Sequence, residues 1–268
     1  MPDSRLEHIE IGTGSEARDI AVLRRDGAEP GIFWLGGYRS DMSGTKAEAL
    51  DSFAAEKGLA ATRFDYSGHG QSGGRFEDGT ISRWLEEAEA VLDQFTNGPQ
   101  VLVGSSMGGW IALLLARRLR ESGAGERLAG LVLIAPAVDM TKALMAEEFS
   151  DADWRELREK GFVTEQSAYS DEPNIITRKL IEDGEKHLFG SAPIEVGCPV
   201  HVIQGMEDPD VPWSHATALM ERLAFDDAVL TLVRDGDHRL SRPEDLERLT
   251  RAVEAMVAEY NAVVPQPR

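Results

Sequence analysis

Ser106 stands in Gly104-Ser105-Ser106-Met107-Gly108, a G-x-S-x-G spacing that closes the apolar run Val101-Leu102-Val103 and opens a helical pattern of Ile111, Leu113, Leu114, Leu115 and Leu119. A hydroxyl at a strand-to-helix turn of this kind, a nucleophile elbow, suits attack on an acyl carbonyl. The flanking glycines relieve the crowding of a strand that reverses directly into a helix. The backbone N–H of Met107 opens the helix, where partial positive charge favours a developing oxyanion. Serine at its free pKa is a poor nucleophile, so Ser106 needs a base, and the base needs an acid to orient it.

The chain order that accompanies such an elbow is nucleophile, acid, histidine. Asp208 lies in Gly205-Met206-Glu207-Asp208-Pro209-Asp210-Val211-Pro212, just past an apolar run at 200–204. His238 lies in Asp235-Gly236-Asp237-His238, just past the run at 229–233. Each therefore falls beyond the C-terminal end of a strand, the edge where loops converge on a site in open α/β sheets. His8, His69, His187, His201 and His215 compete with His238, but only His238 follows the final strand. Glu207, Asp210 and Asp139 compete with Asp208; Asp139 follows the strand at 130–134, while Asp208 is preferred on its position in the Gly-x-x-Asp-x-x-Val-Pro turn. Asp237 is read as a turn-shaping residue.

A second oxyanion donor is expected from the loop Gly36-Gly37-Tyr38-Arg39-Ser40-Asp41, with the Tyr38 N–H joining that of Met107. Gly37 and Arg39 are the candidate substrate-binding residues. Arg39 has two readings: pairing with Asp41 or a helix acid, or taking a carboxylate on the substrate. No metal or cofactor is expected. Asp208, Asp210, His215, Asp237 and His238 resemble a ligand cluster only until the triad claims two of them. The glycine-rich stretch 65–74 has neither the phosphate-loop lysine nor the dinucleotide spacing, and reads as a shaped loop at the edge of the site.

These residues need a scaffold. Short apolar runs at 32–35, 60–64, 100–103, 130–134, 200–204 and 229–233 alternate with helical patterns at 43–57, 81–94, 108–121, 214–223 and 243–260. That alternation predicts an α/β fold with a mostly parallel sheet flanked by helices. Runs at 6–11 and 19–25 add antiparallel strands at one edge, which makes eight strands in all. The alternation stops at 138–198, where large apolar residues recur without a convincing strand; Trp154/Leu157 and Ile176/Leu180 have helical spacing. This segment is expected to be a small helical cap inserted in one domain spanning 1–268. Its apolar face either packs on the sheet or roofs a pocket for an apolar substrate group.

The 268 residues suffice for one large core, and the formal charge of −19 repels phosphate backbones and anionic headgroups. No nucleic-acid partner is therefore expected, and no apolar run reaches the ~20 residues of a membrane span. One cysteine, Cys198, suits a structural thiol in a reducing compartment. Residues 1–10 lack the character of a signal or transit peptide, so a cytoplasmic location is expected. Oligomeric state is not legible.

Taken together, Arg63-Phe64-Asp65-Tyr66-Ser67-Gly68, the run from Gly98 to Trp110, Gly44-Thr45-Lys46-Ala47, Cys198-Pro199 with Gly205-Met206, Val211-Pro212-Trp213 and Asp237-His238-Arg239 resemble the α/β-hydrolase superfamily. Within it they are similar to the group holding the mitochondrial palmitoyl-protein thioesterases and acyl-glucuronide esterases of animals. The resemblance implies an α/β-hydrolase fold, Ser106, Asp208 and His238 as the triad, and hydrolysis of carboxylic esters or acyl thioesters through an acyl-enzyme on a small-molecule or acylated substrate. A peptidase or carbon–carbon bond hydrolase on the same triad, and a ligand-binding module with vestigial chemistry, are the alternatives.

Overall fold

The computed structural model describes residues 4–165 and 173–263. Its elements in chain order are β1 (Arg5–Ile11), β2 (Arg18–Arg25), β3 (Ala28–Leu35), α1 (Thr45–Lys57), β4 (Leu59–Phe64), α2 (Ile81–Phe95), β5 (Gln100–Ser105), α3 (Met107–Glu121) and β6 (Leu128–Ile134). They continue with α4 (Asp151–Lys160), β7 (Phe162–Glu165), β8 (Asn174–Thr177), α5 (Arg178–Gly184), β9 (Val200–Gly205), α6 (Trp213–Arg222), β10 (Ala228–Val233) and α7 (Pro243–Val263).

Eight strands form one sheet in the order β1-β2-β4-β3-β5-β6-β9-β10. β1 and β2 are antiparallel to each other and β2 to β4; the remaining neighbours run parallel. Period-2 alternation divides the side chains between two cores. Phe33 and Leu35 of β3 pack with Trp84 of α2, Trp110 of α3 and Leu219 of α6. Ile32 and Trp34 point the other way, into a core with Leu50 and Phe53 of α1 and Val253 of α7. Because both faces are covered, the central strands read as continuous apolar runs. Helix α1 begins two residues later than the pattern suggested, because the N–H of Ser43 bonds to Asp41 Oδ1 (2.8 Å) and that of Gly44 to the Asp41 carbonyl (3.2 Å), which makes a turn first.

The stretch between β6 and β9 corrects the all-helical expectation. It carries α4 and α5, but between them β7 and β8 pair antiparallel, with Val163 opposite Ile176. Ile176 and Leu180, expected on one helix, fall on β8 and α5. Four-residue strands are too short to display a period of two, which is why the pattern there looked helical or formless. Leu157, Val163, Ile176 and Ile181 form a small core of their own. Residues 166–172 of the expected cap lie outside the described residues. Polar anchors tie the stretch to the body: Asp183 accepts from Ser82 N–H (2.7 Å) and Ser82 Oγ (2.8 Å), and Lys179 pairs with Asp78 (2.5 Å). Among the described residues no helix is long and apolar enough to cross a membrane.

Candidate active site

The register of the sheet gathers three loops at one edge. Ser105, Ile134, Ile203 and Thr231 lie in line across β5, β6, β9 and β10, so the chain leaves β5, β9 and β10 on the same side. Ser106 occupies the first of these exits, with φ 55° and ψ −117° between β5 and α3. A non-glycine residue there costs about 1–3 kcal/mol, and the surroundings must over-determine it. They do: the Ser106 N–H bonds to the Ile134 carbonyl (2.9 Å), and its carbonyl accepts from Gly109 (2.9 Å) and Ala137 (3.1 Å). A Cβ on Gly104 would overlap the Gly108 carbonyl, and one on Gly108 would overlap the Leu35 carbonyl. The elbow's glycines thus serve close approach rather than an unusual φ.

At the other two exits, His238 Nδ1 lies 2.8 Å from Asp208 Oδ2. The Asp208 side chain is fully buried, and its remaining lone pairs are all used: Oδ1 accepts from Asp210 N–H (2.9 Å) and Val211 N–H (2.8 Å), and Oδ2 from Gln204 Nε2 (3.0 Å). An acceptor so surrounded directs the Nδ1 proton of His238 toward itself and leaves Nε2 as the basic nitrogen. The two loops also interlock through backbone, since Glu207 N–H bonds to the Gly236 carbonyl (2.9 Å) and a Cβ on Gly205 would overlap that carbonyl. Asp237 accepts from Leu240 N–H (2.9 Å). Asp208, Asp210 and His238 offer ligand atoms within 4.8 Å of one another, but the Asp208 oxygens already face N–H protons, an arrangement ill suited to a cation.

The loop after β3 reaches the elbow. A Cβ on Gly37 would stand 3.5 Å from Ser106 Cβ. Among the described residues neither the Tyr38 nor the Met107 amide N–H donates to a protein acceptor. Arg39 has φ 59°; its N–H donates to His69 Nε2 (3.2 Å), its Nη1 to the Pro173 carbonyl (2.6 Å), and its guanidinium lies 5.4 Å from the Phe76 ring centre. Arg39, Ser40, Asp41, His69 and Phe76 line an open cavity of about 200 Å³. Burial is the main force that pushes the Tyr38 phenol above its ordinary range and lowers His69 to about 4, so that this imidazole is a neutral acceptor.

The side chains of Asp139, His8, His187 and His201 are engaged elsewhere. The Asp139 carboxylate caps the backbone N–H groups of Phe189 (2.8 Å) and Gly190 (2.9 Å). His8 pairs with Asp19, His187 with Ser82, and His201 with Thr231. Cys198 is half-buried, and burial pushes its thiol up to about 12. Sequence reasoning passed over two supporting groups. Gln204 is an amide at the end of a mostly apolar strand, which was a usable signal; it donates to Asp208 and to the Val211 carbonyl (2.9 Å). His69, flanked by glycines, holds the Arg39 N–H, and nothing in its spacing announces that partner.

A family described as serine aminopeptidase, S33, matches residues 36–182. The mitochondrial palmitoyl-protein thioesterase ABHD10 of Mus musculus is 35% identical over 256 residues, which cover 94% of this chain and 83% of that one. The solved structure of mouse alpha/beta hydrolase domain-containing protein 10 superposes with a TM-score of 0.84 at 33% identity, covering 95% of this chain and 99% of that chain. A solved structure from Agrobacterium vitis S4 gives a TM-score of 0.93 at 55% identity, covering 96% and 100%.

Proposed function

The chain belongs to the α/β-hydrolase family that the serine aminopeptidase model describes, and on that premise we propose that it hydrolyses carboxylic esters or acyl thioesters through an acyl-enzyme on Ser106. The observation that carries this reading is the fully buried Asp208 carboxylate 2.8 Å from His238 Nδ1, at the sheet edge that also presents the strained Ser106. His238 Nε2 takes the Ser106 proton as Oγ attacks the acyl carbonyl. The N–H groups of Met107 and Tyr38 receive the oxyanion. His238 then protonates the leaving group, and a water deprotonated by His238 releases the acid. Neither step needs a cofactor.

The stretch between β6 and β9 is read as a cap over this edge, and its small apolar core and polar anchors support that reading. The formal charge of −19 favours a leaving group that is neutral or basic over a polyanionic carrier. The mouse relative's name places that protein in mitochondria. The test is covalent: a fluorophosphonate adds one phosphonyl group to the native protein and none to Ser106→Ala, read by intact mass. Equal labelling of the two would refute the nucleophile. A panel of aryl esters, acyl thioesters and aminoacyl amides of graded chain length then separates the esterase reading from a peptidase; faster turnover of the amides would overturn the ester assignment.

A further inference from the structure

The loop that carries the second oxyanion donor is latched to the hairpin by its own side chains. Tyr38 Oη donates to the Ile175 carbonyl of β8 at 2.7 Å. The next residue repeats the contact two positions earlier, with Arg39 Nη1 on the Pro173 carbonyl. Pro173 immediately precedes β8, so the two bonds fall on carbonyls two residues apart at the start of that strand. Behind the latch the Tyr38 ring packs edge-on against Phe76 (4.9 Å between centres) and Trp84 (6.0 Å), which are fixed to the sheet body. The phenol is therefore a short rigid strut between the hairpin and the peptide that faces Ser106.

We propose that the Tyr38 phenol is a positioning residue for the oxyanion hole: through its bond to Ile175 it sets where its own backbone N–H stands relative to Ser106, so that acyl transfer depends on how the β7–β8 hairpin is seated. The proposal rests on the acyl-enzyme reading and on Tyr38 N–H as an oxyanion donor. Three observations agree with it. Gly37, immediately before, has no side chain to wedge the loop and lies against Ser106. Arg39, immediately after, is held in the left-handed region by His69. Tyr38 between them has no backbone tether of its own among the described residues, so its phenol supplies the missing one. An oxyanion donor acts only when the tetrahedral oxygen forms, so displacing it lowers kcat and leaves ground-state binding alone.

The experiment is Tyr38→Phe, which deletes one hydroxyl and keeps the ring stack. Turnover is expressed per active site, counted by fluorophosphonate titration read by intact mass. The expected result is a kcat lower by about tenfold to hundredfold with KM within twofold. The Ki of a trifluoromethyl ketone, which binds as an oxyanionic hemiketal, is expected to rise by the same factor, while inhibition by the product acid stays within twofold. A purely structural role would lower the count of active sites or the melting temperature and leave kcat per site unchanged; that result overturns the proposal, as does a KM that rises in step. If Ser106→Ala keeps its activity, the acyl-enzyme reading itself fails. If Ser106→Ala is inactive and Tyr38→Phe is normal, only the latch fails.

Discussion

The sheet body and the stretch between β6 and β9 are built to different tolerances. In the body, backbone touches backbone: Gly104 against Gly108, Gly108 against Leu35, Gly205 against Gly236, with buried side chains packed on both faces. In the stretch between β6 and β9, four buried apolar residues make a small local core, Val138, Met140, Leu180, Ile194 and Val196 join the body's core, and polar contacts such as Asp183 on Ser82 and Tyr38 on Ile175 add to the hold. The difference separates two tasks. Groups that move protons must sit within a few tenths of an ångström of their mark, which close-packed backbone provides. A surface read as a cap tolerates looser packing around its own small core.

Asp208 carries the largest expected effect. If the body's geometry is what drives turnover, Asp208→Asn should lower kcat by about 10⁴-fold, or ~5.5 kcal/mol, because an amide at this position no longer selects the Nδ1-protonated ring. Steady-state kinetics normalised to fluorophosphonate-reactive sites measures it; a loss under tenfold would show that His238 is oriented by something else. The body's electrostatics are sharpened next by pH. His69 sits near 4 when folded and at about 6.5 when unfolded, so between those values the unfolded chain binds more protons and stability falls as pH falls. The effect is absent above pH 6.5 and reaches ~3 kcal/mol near pH 4. Protonated Nε2 would also face the Arg39 N–H as donor against donor. Urea melts from pH 7 to 4 should therefore show a steeper slope for the native chain than for His69→Gln; equal slopes would remove His69 from the account.

The same contrast explains what could be read from the sequence. β5 and β6 were legible because burial on both faces leaves unbroken runs, and the elbow because close backbone contacts demand glycines within one short run. The turn after β9 pointed to Asp208, and the geometry sets that residue against His238. β7 and β8 were missed because Phe162 and Thr164 are exposed on strands of four residues, which gives no repeat to count. The Tyr38 bond was invisible for another reason: its acceptor is a backbone carbonyl 137 residues away, and a carbonyl carries no residue identity.

Two glycines put the difference on one scale. A Cβ on Gly108 would run into the carbonyls of Leu35 and Gly36, neither of which can rotate away, so Gly108→Ala should cost ~3 kcal/mol in strain, offset by up to ~1 kcal/mol of helix propensity. Gly161, which ends α4, has φ 85° and nothing within 4 Å of a built Cβ, so Gly161→Ala should cost only the ~1 kcal/mol of a left-handed alanine. For a chain of this size that difference corresponds to a melting temperature roughly 2–4 °C lower for Gly161→Ala and about twice that for Gly108→Ala. Activity should divide the pair further, since Gly108 packs behind Ser106 and Gly161 touches nothing at the site. If Gly161→Ala proved as costly as Gly108→Ala in both measurements, the end of α4 would be packed to the body's standard.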